Sequence, residues 1–342
     1  MKINEPVIAG IDLGGTAINY TFMDGRGQFL IKGLCEHPAR VADGPAVCLE
    51  QIVAGFDLAL KRAGIAARQV AWVGLATPGP ASPDGVLSER GSTNFAHPGW
   101  AGFDLRGGVA DTLNLPVAYI NDGNAAALWG HTAVLGDRRG VSSVTAVIGT
   151  GFGGGVIIDG RSVTGARGFG GELGHVLIPF GRISGLEGAR PLCNCGRLGD
   201  IESLCSLTAI SRTLLPRFLL RYPGHEFTQG SLTDAAKMVR GYAQAGDALS
   251  REVFRAQAQA LALFFDQMIN VFDPDALIVG GGAIEASPDF REWFLEEIRK
   301  GLPPQREEQA RIPIVIMPEG DTAGARGAAI GAQQALRAAS VT

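Results

Sequence analysis

Residues 144–175 read VTAVIGTGFGGGVIIDGRSVTGARGFGGELGH. An apolar run, Val144 to Ile148, enters Gly149-Thr150-Gly151 and then Gly153-Gly154-Gly155. A second β-branched run, Val156-Ile157-Ile158, leaves the glycines and ends at Asp159-Gly160, the strongest short hairpin-turn dipeptide. The stretch closes on Gly170-Gly171-Glu172-Leu173-Gly174-His175, two ionisable residues among glycines. Residues 140–199 hold 17 of the chain's 49 glycines, a density that suits backbone lying close to a ligand. Gly149 to Gly154 also matches G-x-G-x-x-G, but that dinucleotide fingerprint needs strand, turn and then helix. A strand and a hairpin turn follow here, which argues against a nicotinamide enzyme. A Gly-rich hairpin can still bind phosphate, because successive N–H groups can point at one anion. A tight turn with no ligand is the alternative.

Residues 7–30, VIAGIDLGGTAINYTFMDGRGQFL, repeat the theme. An apolar strand, a Gly-rich turn with Thr, a second strand and an Asp-Gly followed by Arg recur about 135 residues apart. Such a duplication is legible from pattern alone and predicts one copy per domain. Two Gly-rich hairpins facing one another across a cleft would grip a polyphosphate from both sides.

The rest of the chain frames these copies. Leu49, Ile52, Val53, Phe56 and Leu60 recur at helical spacing, and Gly64 closes the run. Val70 to Ala76 reads as a strand ended by Thr77-Pro78-Gly79-Pro80, and 81–104, with Asn94 and Trp100, as a binding loop. Val117 to Ile120 leads to Asn121-Asp122-Gly123-Asn124 and an Ala-rich helix. Asp122 thus lies between a strand's C-terminal end and a helix N-terminus, where α/β sheets place ligands; an N-cap aspartate fits the same spacing. Cys193-x-Cys195, with His175 upstream, suggests a structural zinc. Helices are expected over 204–222, 231–246 and 249–272, the last with a core stripe of phenylalanines. Ala276 to Val279 runs into Gly280-Gly281-Gly282, Ile312 to Met317 reads as a last strand, and 322–338 as a small-residue helix.

Composition excludes several classes. The chain has 342 residues, 19% charged and 46% hydrophobic, with net charge −4 and five lysines, an ordinary α/β composition with length for two domains. No basic cluster points to nucleic acid or an anionic membrane. No apolar run approaches a membrane span, and MKINEPVIAGIDL carries no cleavable signal pattern. Five cysteines, an odd number, fit a reducing cytoplasm and not a disulfide framework.

With these pieces in order, the chain resembles the ROK family of bacterial sugar kinases and repressors. The resemblance rests on Gly10-Ile11-Asp12-Leu13-Gly14-Gly15-Thr16, Pro78-Gly79, Asn121-Asp122-x-Asn124-Ala125-Ala126, Gly149-Thr150-Gly151-x-Gly153-Gly154-Gly155, Glu172-Leu173-Gly174-His175, Cys193-x-Cys195-Gly196-x-x-Gly199, Glu202 and Gly280-Gly281-Gly282. It implies an α/β, duplicated actin-like ATPase fold with two ribonuclease H-like domains around a cleft. The expected division is a small domain over 1–120, onto which a C-terminal helix at about 322–342 packs back, and a large domain over 121–321 carrying the zinc-like motif.

The same resemblance implies roles. Asp122 matches the general base that takes a proton from a sugar hydroxyl attacking the γ-phosphorus of ATP. Asp12 with Gly14, Gly15 and Thr16 matches a first phosphate loop whose aspartate holds Mg²⁺ through water. Gly149, Thr150 and Gly151 match the second phosphate loop, and Gly281 and Gly282 the adenosine side. Asn94, Asn121, Asp122, Glu172, His175 and Glu202 sit where the family contacts sugar. Zinc is implied at His175, Cys193, Cys195 and a further cysteine, but Asp200 stands at that last position. Asp200 as ligand, Cys205 reaching in, or loss of zinc are the three outcomes. Ala17 also replaces a lysine frequent in the family.

The function so implied is phosphorylation of a hexose, glucose at its 6-hydroxyl first, with N-acetylmannosamine, N-acetylglucosamine or fructose as alternatives. Domain closure would keep water from Asp122, polyphosphate is a rival donor, and a cytoplasmic homodimer is expected. A sugar-responsive repressor is disfavoured, because about six residues precede the first strand and the charge balance does not suit DNA.

Overall fold

The structure is a computed structural model that describes residues 6–79, 81–89, 94–136, 138 and 140–339. Pro80, residues 90–93 of the expected binding loop, and 340–342 of the expected C-terminal helix lie outside the described residues.

Strand β1 (Val7–Leu13) is apolar on both faces and is buried along nearly its whole length, as a central strand must be. It pairs antiparallel with β2 (Ala17–Met23) and parallel with β4 (Val70–Thr77). With β3 (Glu36–Pro38) and β5 (Val117–Asn121) these make a sheet of order β3-β2-β1-β4-β5. Helix α1 (Pro45–Ala63) buries Ile52, Phe56 and Leu60 and ends at Gly64, whose φ of 69° supplies the left-handed cap. Helix α2 (Leu105–Leu113) precedes β5, and α3 (Asp122–Leu135) follows it.

A second sheet contains β6 (Ser142–Ile148), β7 (Phe152–Ile158), β8 (Arg161–Ser162), β9 (Ala276–Gly280) and β10 (Ile314–Ile316). Its order, β10-β9-β6-β7-β8, read from the other edge is the first sheet's order over again. In both sheets the first two strands are antiparallel and the next two join in parallel. The helices of this half are α4 (Leu207–Ala209) and α5 (Leu215–Phe218), bridged by a π-helical turn over Ile210–Leu214, then α6 (Leu232–Gln244), α7 (Ala248–Phe272) and α8 (Pro288–Gly301). Phe254, Leu261, Phe264, Phe265 and Ile269 of α7 are core. The chain ends its described part in α9 (Ala323–Ala339).

Two compact units result: Met1–Ala133, Arg161–Gly171 and Asp321–Thr342 form one, Val134–Gly160 and Glu172–Gly320 the other. The division expected at 120/121 differs from this, because α3 belongs with the first unit. The reason is steric. A Cβ at Gly327 of α9 would lie 1.7 Å from the carbonyl oxygen of Ala125 in α3. At Gly10 and Gly74 a Cβ would lie 1.9 Å from the carbonyls of Ala325 and Ala328. Glycines on β1, β4 and α9 therefore let helix and sheet backbones touch.

Two local expectations change. Asp159 and Gly160 have φ of 52° and 73°, the left-handed pair a type I′ hairpin needs. The Asp24-Gly25 copy instead opens into a longer loop, with the Asp24 carboxylate accepting from the amides of Arg26 and Gln28 at 3.0 and 2.9 Å. In the expected binding loop, Trp100 is core: it is 1% exposed, packs edge-on against Phe95 and Phe103, and donates to the Val41 carbonyl at 2.8 Å. No described helix is long and apolar enough to cross a membrane.

Candidate functional site

In the first unit, β1 ends at Leu13 and β2 begins at Ala17, so Gly14-Gly15-Thr16 is the whole turn. The Gly14 amide donates to the Ala17 carbonyl at 2.9 Å. Asn94 lies against this turn, since a Cβ at Gly15 would meet its Oδ1 at 3.1 Å. Asp12 is the penultimate residue of β1 and abuts the start of α9, where a Cβ at Gly324 would lie 2.3 Å from its Oδ2. That small residue at a helix N-terminus has a plain purpose: the carboxylate occupies its side-chain space. Sequence reading did not single it out; its signal was the run of small residues opening the last helix.

Asp12 and Asp122 are close enough to repel one another. Burial, and then the Asp122 charge, push the Asp12 carboxyl up to about 7, against a hydrogen bond from Asn19 that lowers it. Burial likewise raises Asp122, opposed by the Gly123 amide, which donates to Asp122 Oδ1 at 2.7 Å. No ion pair among the described residues involves either carboxylate. Two desolvated carboxylates of this kind fit a divalent cation and a proton acceptor, the pairing that phosphoryl transfer needs.

The N-cap reading of Asp122 requires correction. Asn121 caps the helix instead, its Oδ1 accepting from the amides of Gly123 and Asn124 at 2.9 and 3.3 Å. Asp122 is the first residue of α3, where the helix dipole favours its charged form. Asn124, quoted only as part of the motif, holds the loop ahead of Glu172 by donating to the Gly170 carbonyl at 2.9 Å.

In the second unit, β6 ends at Ile148 and β7 begins at Phe152, leaving Gly149-Thr150-Gly151 as the turn. Helix α4 meets it N-terminus first: Leu207 N donates to the Gly149 carbonyl at 2.9 Å, and Thr208 N and Oγ1 donate to the Thr150 carbonyl at 3.3 and 2.8 Å. Glu202 accepts from Phe152 N at 2.9 Å. Gly281 is needed internally, with φ 97° and a Cβ position 2.3 Å from the Ile148 carbonyl, whereas Gly282 has nothing within 4 Å.

Glu172 opens the 3-10 turn Leu173–His175, which packs on β7 so closely that a Cβ at Gly174 would meet the Phe152 carbonyl at 2.4 Å. His175 Nδ1 is thereby aimed at Asp200 Oδ2, 3.1 Å away, and at Cys193 Sγ, 3.9 Å away. Cys193 and Cys195 share a tight turn, closed by Cys193 N donating to Arg197 O at 2.9 Å and Gly196 N to Cys193 O at 3.0 Å. One donor atom from each of His175, Cys193, Cys195 and Asp200 falls in a group spanning at most 4.8 Å. A tetrahedral zinc with bonds of about 2.0–2.3 Å sets its donors roughly 3.3–3.8 Å apart, so the set fits with small adjustments. Burial, with neighbouring carboxylates hydrogen-bonded to it, pushes the Cys193 thiol up; a bound dication reverses that. Cys205 is not part of the cluster: it is fully buried and donates to the Gln257 carbonyl at 3.2 Å.

The sequence pattern of the ROK family matches residues 8–335. The chain belongs to the ROK family. Its fold is accordingly the actin-like ATPase fold, an α/β fold of two mixed five-stranded sheets. Over 331 residues this ROK protein is 29% identical to a glucokinase of Halalkalibacterium halodurans, covering 93% of this chain and 92% of that one. It is also 29% identical over 330 residues to an N-acetylmannosamine kinase of Yersinia pestis, covering 95% and 98%. Among solved structures it is similar to a ROK family glucokinase from Streptomyces griseus in complex with glucose and AMPPNP, with 25% identity, a TM-score of 0.72 and coverage of 96% of this chain and 99% of that one.

Proposed function

We propose that this ROK protein is a sugar kinase that transfers the γ-phosphoryl group of ATP to a hexose hydroxyl, with the 6-hydroxyl of glucose as first acceptor. The observation that supports this most is the carboxylate pair Asp12 and Asp122, partly desolvated beside a glycine turn that leaves a strand end. Phosphoryl transfer calls for positioning and charge neutralisation, plus one group to accept the hydroxyl proton. Asp122 is that group: as the sugar oxygen bonds to the γ-phosphorus and the bond to the β-phosphate oxygen breaks, its carboxylate takes the proton. Burial raises this carboxylate's affinity for a proton, which suits that role, and such bases contribute roughly 10²–10⁴-fold.

The remaining roles follow from chemistry and family membership. Asn94, Asn121, Asp122, Glu172, His175 and Glu202 hold sugar hydroxyls. Asn121 spends its Oδ1 on the helix cap, which leaves Nδ2 to donate. His175 turns Nδ1 to Cys193 and Asp200, so its other nitrogen serves the sugar. Gly14, Gly15, Thr16, Gly149, Thr150 and Gly151 hold phosphates, and Gly281 and Gly282 border the adenosine. Asp12 is the residue that would hold Mg²⁺, which when bound neutralises charge on the transferred group. His175, Cys193, Cys195 and Asp200 would hold a structural Zn²⁺. The proposal includes a cytoplasmic homodimer, a state that sedimentation velocity reads directly.

Equal identity to a glucokinase and an N-acetylmannosamine kinase makes the N-acetyl sugar the second reading. The test compares kcat/KM for glucose, N-acetylmannosamine, N-acetylglucosamine and fructose, with ATP or polyphosphate as donor and the product phosphate located by phosphorus NMR. Glucose with ATP giving the 6-phosphate at the highest kcat/KM is expected. A higher value for an N-acetyl sugar or for polyphosphate would reassign acceptor or donor.

A further inference from the structure

One short segment of the second unit, residues 200–208, touches both the cysteine cluster and the second glycine turn. At its start, Asp200 is fully buried and uses its two carboxylate oxygens differently. Oδ2 faces the cluster, 3.1 Å from His175 Nδ1 and 3.5 Å from Cys195 Sγ, while Oδ1 accepts from Ser203 N at 3.0 Å. That second bond caps the 3-10 turn Ile201–Ser203, and Glu202 is its middle residue. Glu202 Oε2 accepts from Phe152 N at 2.9 Å, the first residue after Gly151, and Oε1 accepts from the Cys193 thiol at 3.2 Å. Ser206 Oγ donates to the Glu202 carbonyl at 2.9 Å. The segment then ends in the α4 amides that hold the Gly149 and Thr150 carbonyls. Gln257, buried in α7, fixes its middle by donating to the carbonyls of Leu204 and Ser206 at 3.2 and 3.3 Å.

We propose that Asp200 is a two-sided positioning residue: one oxygen completes the metal set and the other caps the turn that presents Glu202 to Phe152, so that metal occupancy sets the shape of the second glycine turn. A thiolate offers one ligand atom, so a cysteine could serve the metal but not the cap. A carboxylate can do both because its two oxygens are rigidly linked; an ion that fixes Oδ2 also fixes the direction of Oδ1. The Ser203 bond is charge-assisted, a class about twice as strong as neutral hydrogen bonds. A metal that takes Cys193 as thiolate removes that sulfur's bond to Glu202, which leaves the cap, with the Gln257 bonds further on, to hold the turn that carries Glu202. This inference rests on the reading of 149–151 as the donor phosphate turn only for its effect on nucleotide; the effect on the turn itself does not.

Three proteins separate the two functions of the carboxylate. Zinc content, hydrogen exchange of the Phe152 amide, and affinity for a non-hydrolysable ATP analogue measured without sugar are read on each. In the wild-type protein, adding Zn²⁺ to metal-stripped material should slow Phe152 exchange about tenfold, as expected for a bond worth about 1.4 kcal/mol. Asp200→Cys should keep zinc yet exchange Phe152 about tenfold faster than zinc-loaded wild type and bind the analogue several-fold more weakly. Asp200→Asn should keep the cap through its amide oxygen and lose zinc affinity about tenfold or more. Zinc-loaded Asp200→Cys with unchanged Phe152 exchange overturns the proposal. If Asp200→Cys does not fold, Phe152 exchange that is indifferent to zinc in the wild-type protein overturns it equally. Slower exchange with zinc but no analogue binding by any protein upholds the coupling and instead refutes the donor-turn reading.

Discussion

The two glycine turns occupy the same place in two sheets of the same strand order, 135 positions apart, each three residues long. Their surroundings differ. One residue ahead of the first strand's end stands Asp12; the matching residue of the second copy is Val147. The first turn keeps company with two carboxylates, one of them pushed up to about 7 by burial and its neighbour. The second turn has its Gly149 and Thr150 carbonyls occupied by the amides of α4, which removes groups that would repel a phosphate. The second turn is not free of negative charge, since Glu202 Oε2 accepts from Phe152 N and would lie 2.7 Å from a Cβ at Gly151. The copies differ in how the charge is held: the first turn's two carboxylates face one another, whereas the second turn's is hydrogen-bonded to the strand that leaves the turn.

The comparison can be broken most forcefully at Asp122. Asp122→Asn should lower kcat about 10²–10⁴-fold, with sugar KM changed only a few-fold in a steady-state assay. A value within tenfold of wild type would leave the first turn without its base. Next in size is the steric frame beneath that turn. Gly74→Ala puts a Cβ 1.9 Å from the Ala328 carbonyl, so urea unfolding should show a loss of about 3 kcal/mol or more, at the upper end of overpacking costs.

Asp12→Asn probes the charge itself. The folded protein holds this carboxyl's proton up to about 7 against an ordinary 3.8, so the native state binds more protons than the unfolded chain between those values. Wild-type stability contributed by this group is therefore lost as pH rises from about 4 to 7. In Mg²⁺-free buffer Asp12→Asn should exceed wild type by about 1–3 kcal/mol at pH 8, and by nothing below pH 4. A stability difference that is flat with pH would remove the argument that the first turn's carboxylates are strained.

The smallest expected effect sharpens the other side. A Cβ at Gly149 meets nothing nearer than 4.0 Å, so the fold does not require glycine there. Gly149→Ala should leave stability within about 0.5 kcal/mol while raising KM for ATP several-fold. Unchanged KM would favour a turn that binds no ligand.

Much of this was legible in the sequence, for physical reasons that differ from place to place. The repeat was readable because each copy needs an apolar strand, a glycine turn and a β-branched strand in that order, and the two matching sheets follow from it. The grouping of His175 with Cys193 and Cys195 was suggested by residue type, the place of Asp200 by the family resemblance alone; the four side chains do gather, while Cys205 turns into the core. Other features were hidden because local pattern does not carry them. Asn121 and Asp122 are both good cap residues, so residue type alone does not choose between them, and the hydrogen bonds to Asn121 do. Gly10, Gly74 and Gly327 look like the ligand-facing glycines, yet they exist so that α9 can touch β1, β4 and α3. Trp100 looked available in a polar loop, and its burial depends on aromatic partners from the same loop.

Under the proposed function both glycine turns serve one reaction, transfer of a phosphoryl group from ATP to a sugar. ADP release by the wild-type protein, measured with and without sugar and with and without Mg²⁺ on a single preparation, tests this most directly. Release should depend on both, with the sugar-free background lower by orders of magnitude. Release that ignores the sugar, or none with any hexose, would contradict it.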